Sequence, residues 1–224
     1  MNDIGSKIQQ LPIVLPALIL SLVLHELAHA YVAHFLGDRT PKEQGRLTLN
    51  PIKHLDPFGS GLFLFTFLFT SFPFGWAKPV QINPRNLWHH QRGMAVVAVA
   101  GPLVNFGLAL GFAAYMLHAG FDYIGGQFFY DGGMSEYWLS VLFTCFQVNV
   151  VLGVFNLFPI PPLDGSRIVG AFMPKRMYED WSKLDQYAPI FLIVLLVFLR
   201  DPFTEVLGDA SGRVTDLIFR IVGG

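Results

Sequence analysis

Residues Leu11 to Leu36 read LPIVLPALILSLVLHELAHAYVAHFL, and the reading of these 26 residues decides the fold. At about 1.5 Å per residue the run is long enough to cross the roughly 30 Å hydrocarbon core of a bilayer with some tilt. Its only charged side chain is Glu26, which is also the only one between Lys7 and Asp38. An ionisable group in a spanning helix costs on the order of several kcal/mol unless something compensates it, so it marks a functional site by default. Here the compensation is readable. His25 and His29 lie four residues apart and share one helix face, where both imidazoles can meet a single metal ion while Glu26 reaches a water beside it. His34 falls about 140° away from His29 round the same helix and is off that face. Lys7, the apolar run and Ala28-His29-Ala30 together mimic a signal peptide with a cleavage site. The run continues through Tyr31, Val32, Phe35 and Leu36, so we read a retained helix.

Composition extends the membrane reading to the whole chain. Hydrophobic residues make up 53% of the 224 residues, charged residues only 14%, and mean hydropathy is +0.47, more apolar than a soluble core requires. The net charge of −1 gives no footprint for nucleic acid. The single cysteine, Cys145, excludes an internal disulfide and a cysteine-based metal cluster, leaving nitrogen and oxygen as metal ligands. Four further apolar segments follow: Phe58 to Phe74, Met94 to Leu117, Tyr137 to Phe158 and Tyr187 to Leu199. The middle two are long enough to span. Arg39, Lys42, Arg46 and Lys53 follow the first helix, Lys78, Arg85 and Arg92 precede the second, and Arg167, Lys175, Arg176 and Lys183 follow the third. No Lys or Arg occurs between Ala119 and Ser166. Positive loops stay cytoplasmic, which places the N-terminus outside. The 58–74 segment must then enter and return on one side, as Gly59, Gly61, Pro73 and Gly75 allow.

Arg46-Leu-Thr-Leu-Asn50 and Lys78-Pro-Val-Gln-Ile-Asn83 alternate in the manner of strands, each closed by an Asn-Pro pair, and are expected to be short strands at the cytoplasmic surface, with ordinary loop as the competing reading. A catalytic zinc takes three protein ligands and one open position. Asp164 lies at the right depth for the third, because it follows the 137–158 helix and Pro159, Pro161, Pro162 and Gly165 let the chain turn back into the bundle. A helix-capping aspartate is the other reading of Asp164. His54, His89, His90 and His118 are given no catalytic role. Asn105, Asn149 and Asn156 either line a water inlet or hydrogen-bond between helices. Trp76, Trp88, Trp138 and Trp181 fall near helix ends, as interfacial aromatics do. Residues 203–222 carry apolar side chains at helical spacing, expected as an amphipathic surface helix.

His25-Glu-Leu-Ala-His29, Ala100-Gly-Pro-Leu-Val-Asn105, Asn156-x-x-Pro159 and Leu163-Asp-Gly165, in this order, resemble the site-2 proteases, a family of intramembrane zinc metalloproteases. The resemblance implies that His25, His29 and Asp164 hold one Zn²⁺ and that Glu26 is the general base. It further implies that Asn156, with Asn105, contacts the substrate or its developing oxyanion. The stretches 45–51 and 75–84 look like the part of the compact bacterial branch that holds an unwound substrate. No PDZ or CBS domain and no apolar helix before the HELAH helix is read. The expected fold is an all-α polytopic membrane protein: a helical bundle of about 4–5 membrane segments, with a re-entrant segment and short membrane-associated strands. It forms one domain over 1–224, with core helices near 11–36, 93–118 and 137–160, the segment 58–74, and C-terminal helices near 187–200 and 203–222. The expected activity is hydrolysis of peptide bonds in or near transmembrane segments. Its expected setting is the plasma membrane, with the active site toward the cytoplasm and a membrane-protein substrate as partner. A metal transporter or a scaffold that keeps the zinc site is the alternative, and Glu26 separates them, because only a hydrolase needs the base.

Overall fold

The computed structural model describes residues 4–70, 73–187 and 199–223. Helix α1 runs over Ile4–Phe35, seven residues longer at its start than the apolar run, and Pro12 and Pro16 do not break it. After a short helix α2 (Thr40–Glu43) and a 3₁₀ turn at Pro51–Lys53 comes α3 (Pro57–Phe69). Helix α4 (His90–His118) leads into a β-hairpin, β1 (Phe121–Ile124) and β2 (Gln127–Tyr130), and then α5 (Glu136–Asn156). Two short helices follow, α6 (Asp164–Gly170) and α7 (Lys175–Ser182), and α8 covers Arg200–Gly223. Among the described helices α1, α4 and α5 are long and apolar enough to cross a membrane, which makes this a membrane protein.

Helix α4 is the centre of the bundle and packs on α1, α5, α6 and α8. Small residues set the spacing. Ala30 and Ala33 of α1 and Ala109 and Ala113 of α4 are completely buried, and backbones can approach closely where side chains end at Cβ. The core between α4, α5 and α8 holds Met116, Phe146, Val150 and Phe219.

The 55–77 segment leaves and returns to one place. Leu55 and Ala77 form an isolated antiparallel bridge, and Lys78 N–H donates to His54 O at 2.8 Å. Between them α3 is capped by Asp56, whose Oδ1 accepts from Gly59 N–H at 2.7 Å. The return leg lies directly on the first turn of α3: a Cβ at Gly59 would stand 2.3 Å from Trp76 O, and one at Gly75 would stand 2.6 Å from Gly59 O. At the far end of α3, Lys7 Nζ reaches Leu68 O and Thr70 O.

Neither expected surface strand forms. Leu47 and Thr48 make bends, and 78–83 join no ladder, the nearest pairing being the Leu55–Ala77 bridge beside them. The alternation has other causes. Val80 is turned inward and buried, Pro79 has no N–H for a ladder, and Asn50 and Asn83 cap 3₁₀ turns by accepting from Ile52 and Arg85. The strands that exist are β1 and β2, joined by Gly125-Gly126 with φ of 60° and 83°, and a two-residue turn of that hand selects glycine. One part of the apolar surface of α8 covers the bundle, while Val206, Leu217 and Ile221 stay exposed: Phe203 meets Phe155 and Phe158, and Phe219 meets Phe128 and Phe146, so α8 lies antiparallel along α5. The expected helix near 187–200 falls mostly on residues 188–198, outside the described residues.

The ends of α1 and α5 and the start of α4 gather at one end with the basic stretches. Trp88 N–H donates to Leu36 O, Gln91 Nε2 donates to Met173 O, and the Arg46 guanidinium binds the carbonyls of Lys53, Lys78 and Pro79.

Candidate metal centre

His25 and His29 face α4 and α6 from the last third of α1, with 4% and 6% of their surface exposed. Asp164, 8% exposed, opens α6 just beyond the proline-rich turn that follows α5. It caps nothing; Leu163 holds the cap position and Asp164 points at the imidazoles. Asp164 Oδ2 lies 3.2 Å from Nε2 of His25 and 3.2 Å from Nε2 of His29, and the two Nε2 atoms are 3.0 Å apart. These edges are close to the roughly 3.3 Å expected of ligand atoms set tetrahedrally about a metal at about 2.0 Å.

The proton inventory explains why a cation belongs there. His29 Nδ1 faces the backbone carbonyl of Val97 at 2.7 Å, and His25 Nδ1 faces Asn105 Oδ1 at 2.6 Å. Both neighbours accept, so both Nδ1 atoms carry the proton and both Nε2 atoms present lone pairs. Asp164 Oδ2 is buried and receives no hydrogen bond. Three lone-pair donors thus converge on one point, an arrangement that neutral imidazoles and a carboxylate sustain only around a positive charge. Space for it is kept by α4: a Cβ at Gly101 would lie 2.5 Å from His29 Nε2 and 2.6 Å from His25 Nε2. Two nitrogens and one oxygen are a ligand set that zinc accepts, so the residues present fit a zinc ion.

Glu26 stands next to the histidines, half-buried, and its Oε2 accepts from Val80 N–H at 3.1 Å. The 78–83 segment therefore crosses the site as a strap. Arg46 holds it at one end through the Lys78 and Pro79 carbonyls. Asp38, fully buried, holds it at the other: Asn83 N–H donates to Oδ2 at 2.7 Å and Asn86 Nδ2 to Oδ1 at 3.0 Å. Burial pushes the Asp38 carboxyl up, but hydrogen bonds from Thr40, Asn86 and Asn83 outweigh it and hold the group below the ordinary carboxylate range.

The structure thus brings His25, Glu26, His29 and Asp164 together. The amide of Asn105 is used at both ends, its Oδ1 on His25 and its Nδ2 on Asn149. Asn156, the last residue of α5, donates to Leu152 O of its own helix, and no hydrogen bond among the described residues joins it to the triad. His54 is buried but bound to Thr48 O, and His34 lies apart from the triad. Gly101, Val97, Asp38 and Arg46 escaped the sequence reading. Gly101 and Pro102 in an apolar helix were a signal of close approach, whereas a backbone carbonyl such as Val97 O leaves none.

Comparison with known proteins agrees with this geometry. The model of "Peptidase family M50" matches residues 128–198. The chain is 40% identical over 214 residues to the "Putative zinc metalloprotease YwhC" of Bacillus subtilis (strain 168), covering 94% of this chain and 91% of that protein. It is 29% identical over 188 residues to the "Putative zinc metalloprotease Rip2" of Mycolicibacterium smegmatis, covering 83% of this chain and 66% of the relative. It is 30% identical over 161 residues to the "Zinc metalloprotease MJ0392" of Methanocaldococcus jannaschii, covering 71% of this chain and 34% of the relative. No solved structure matches. With near-full-length identity at this level, and with a buried His-His-Asp cluster fitted to a metal, the chain belongs to peptidase family M50, the site-2 proteases, and is a zinc metalloprotease.

Proposed function

We propose that this protein is an intramembrane endopeptidase that cuts peptide bonds in or near the transmembrane segments of other membrane proteins. The observation that carries the reading is the place of the triad: three buried metal-binding atoms and Glu26 at one end of a bundle of membrane-length helices. In this reading His25, His29 and Asp164 hold one zinc. Bound there, zinc supplies a Lewis acid that activates water and polarises a carbonyl. Glu26 takes the proton of the attacking water on its carboxylate and delivers it to the leaving amine, so no covalent enzyme intermediate is required.

A helical substrate hides its carbonyls in i→i−4 bonds and must be extended before attack. The strap offers a partner for the extended chain, because no hydrogen bond among the described residues engages the backbone N–H of Gln81, and an extended peptide can add to such an edge. Beside it lies a cleft of about 460 Å³ walled by the strap and by Ser166, Arg167, Tyr178 and Trp181. In our reading α3 is a re-entrant segment, the basic end faces the cytoplasm, the N-terminus lies outside, and the membrane is the plasma membrane. Asn156 faces the substrate only after turning away from Leu152.

The test is cleavage of a membrane-protein reporter by the purified chain in vesicles. Glu26→Gln should retain zinc and lose at least about a thousandfold in rate. Gln81→Pro should retain zinc and cleave more slowly. Undiminished cleavage by Glu26→Gln would remove the base from the mechanism, and undiminished cleavage by Gln81→Pro would remove the strap.

A further inference from the structure

We infer that Asn149, on α5, is a positioning residue for the metal centre: through Asn105 it fixes which ring nitrogen of His25 faces the metal. The inference rests on the zinc reading of the triad and extends it to a helix that contributes no ligand. The chain of contacts starts at a backbone carbonyl. Asn149 Nδ2 donates to Cys145 O at 2.8 Å, Asn105 Nδ2 donates to Asn149 Oδ1 at 2.9 Å, and Asn105 Oδ1 meets His25 Nδ1 at 2.6 Å. Asn105 and Asn149 are 0% and 1% exposed, so water does not compete for these groups.

A carbonyl can only accept, and this sets the polarity of every later link. Cys145 O demands an N–H, so Asn149 presents Nδ2 to it and Oδ1 to Asn105. That oxygen demands an N–H in turn, so Asn105 presents Nδ2 to Asn149 and Oδ1 to His25. His25 must then carry its proton on Nδ1 and offer Nε2 to the metal. His29 reaches the same state in one step, because its Nδ1 meets Val97 O directly. The two histidines differ in how they are held: one depends on main chain that substitution leaves in place, the other on two side chains. Without Asn149 the Asn105 amide is free to rotate and present its NH₂ to His25, which favours the tautomer with the proton on Nε2, where the metal must bind.

The experiment uses the full-length chain in detergent, with wild type, Asn149→Leu, Asn149→Ala and Asn149→Asp. Two readouts are taken: zinc affinity by competition with a chelator, and the visible absorption of the Co²⁺-substituted protein, which reports the ligands around the metal. Asn149→Leu and Asn149→Ala should bind zinc about 10–100-fold more weakly, with a changed Co²⁺ spectrum. Asn149→Asp should restore both, because a protonated carboxyl donates to Cys145 O and accepts from Asn105 as the amide does. Alanine favours helix and needs no extra space, so it serves if leucine prevents folding. Zinc affinity and Co²⁺ spectrum both equal to wild type in Asn149→Ala would overturn the inference while leaving the metal site standing. Failure of wild type itself to bind zinc would overturn the metal site and this inference with it.

Discussion

Gly101 carries the sharpest consequence of any single residue in this protein. Alanine favours helix over glycine by about 1 kcal/mol, so Gly101→Ala should leave α4 intact. Its new methyl group would nonetheless sit 2.5 Å from His29 Nε2, in the space between the imidazoles. Zinc retained per chain after detergent purification should fall about tenfold or more while helix content by circular dichroism is kept; full zinc content would mean that the metal lies elsewhere. Asp38 gives a test at the strap. Its folded pKa is depressed, so its contribution to stability is complete above the unfolded-state value and is lost as pH falls through the lower folded value. From about pH 6 to pH 3 the melting temperature should fall more in wild type than in Asp38→Asn; parallel curves would remove the clamp. The site residues proposed on α1 were readable because depth makes a lone Glu and two His costly, and Asp164 because a turn rich in proline returns the chain to that depth. Gly101, Val97 and the Asn105–Asn149 contact depend on how α4 and α5 are rotated against α1, which a single sequence does not encode locally.

Among the elements, the long helices were the easiest to read and the loops the hardest. The 94–117 and 137–158 runs became α4 and α5 with ends shifted by only a few residues, since apolar length alone forces a helix in lipid. The β-hairpin was available in the sequence as Phe121-Asp-Tyr-Ile, Gly125-Gly126 and Gln127-Phe-Phe-Tyr130, a turn signature between two strand-forming runs. The 78–83 alternation misled because Val80 and Ile82 turn inward without pairing in a sheet, and that of 46–50 because Leu49 is exposed and the apolar alternation there marks no inner face. For α8, docking on the bundle has a measurable cost. Phe219 is buried against Tyr123, Phe128 and Phe146, and Phe219→Ala should lower stability by about 3 kcal/mol in detergent unfolding. A change near zero would place α8 on a lipid surface instead. The hairpin is tied to α8 as well: burial and a hydrogen bond to Asp216 push the Tyr123 hydroxyl up to about 12. Ultraviolet titration should show Tyr123 ionising late and, in Asp216→Asn, earlier but still above its ordinary value, because the part of the shift due to burial remains.

At the scale of the whole molecule, the arrangement of charge and the arrangement of chemistry coincide. The end of the bundle that carries the basic stretches is the end that carries the triad, while the hairpin end has no Lys or Arg between Ala119 and Ser166. In cells, and with Cys145 replaced by serine, an impermeant thiol reagent added outside should label a cysteine at Gly126 and spare one at Lys175; the reverse pattern would invert the proposed orientation. Two parts of the chain separated by more than a hundred residues meet at a single point, where His25 and His29 face Asp164. Whether that point is one metal site is tested most directly by zinc content per chain in wild type, His29→Ala and Asp164→Ala, each purified in detergent at equal folding. One zinc in wild type, lost or greatly weakened in both variants, is the result expected of one site built jointly by α1 and α6. Full zinc in Asp164→Ala would contradict it, because α6 would then take no part in holding the metal.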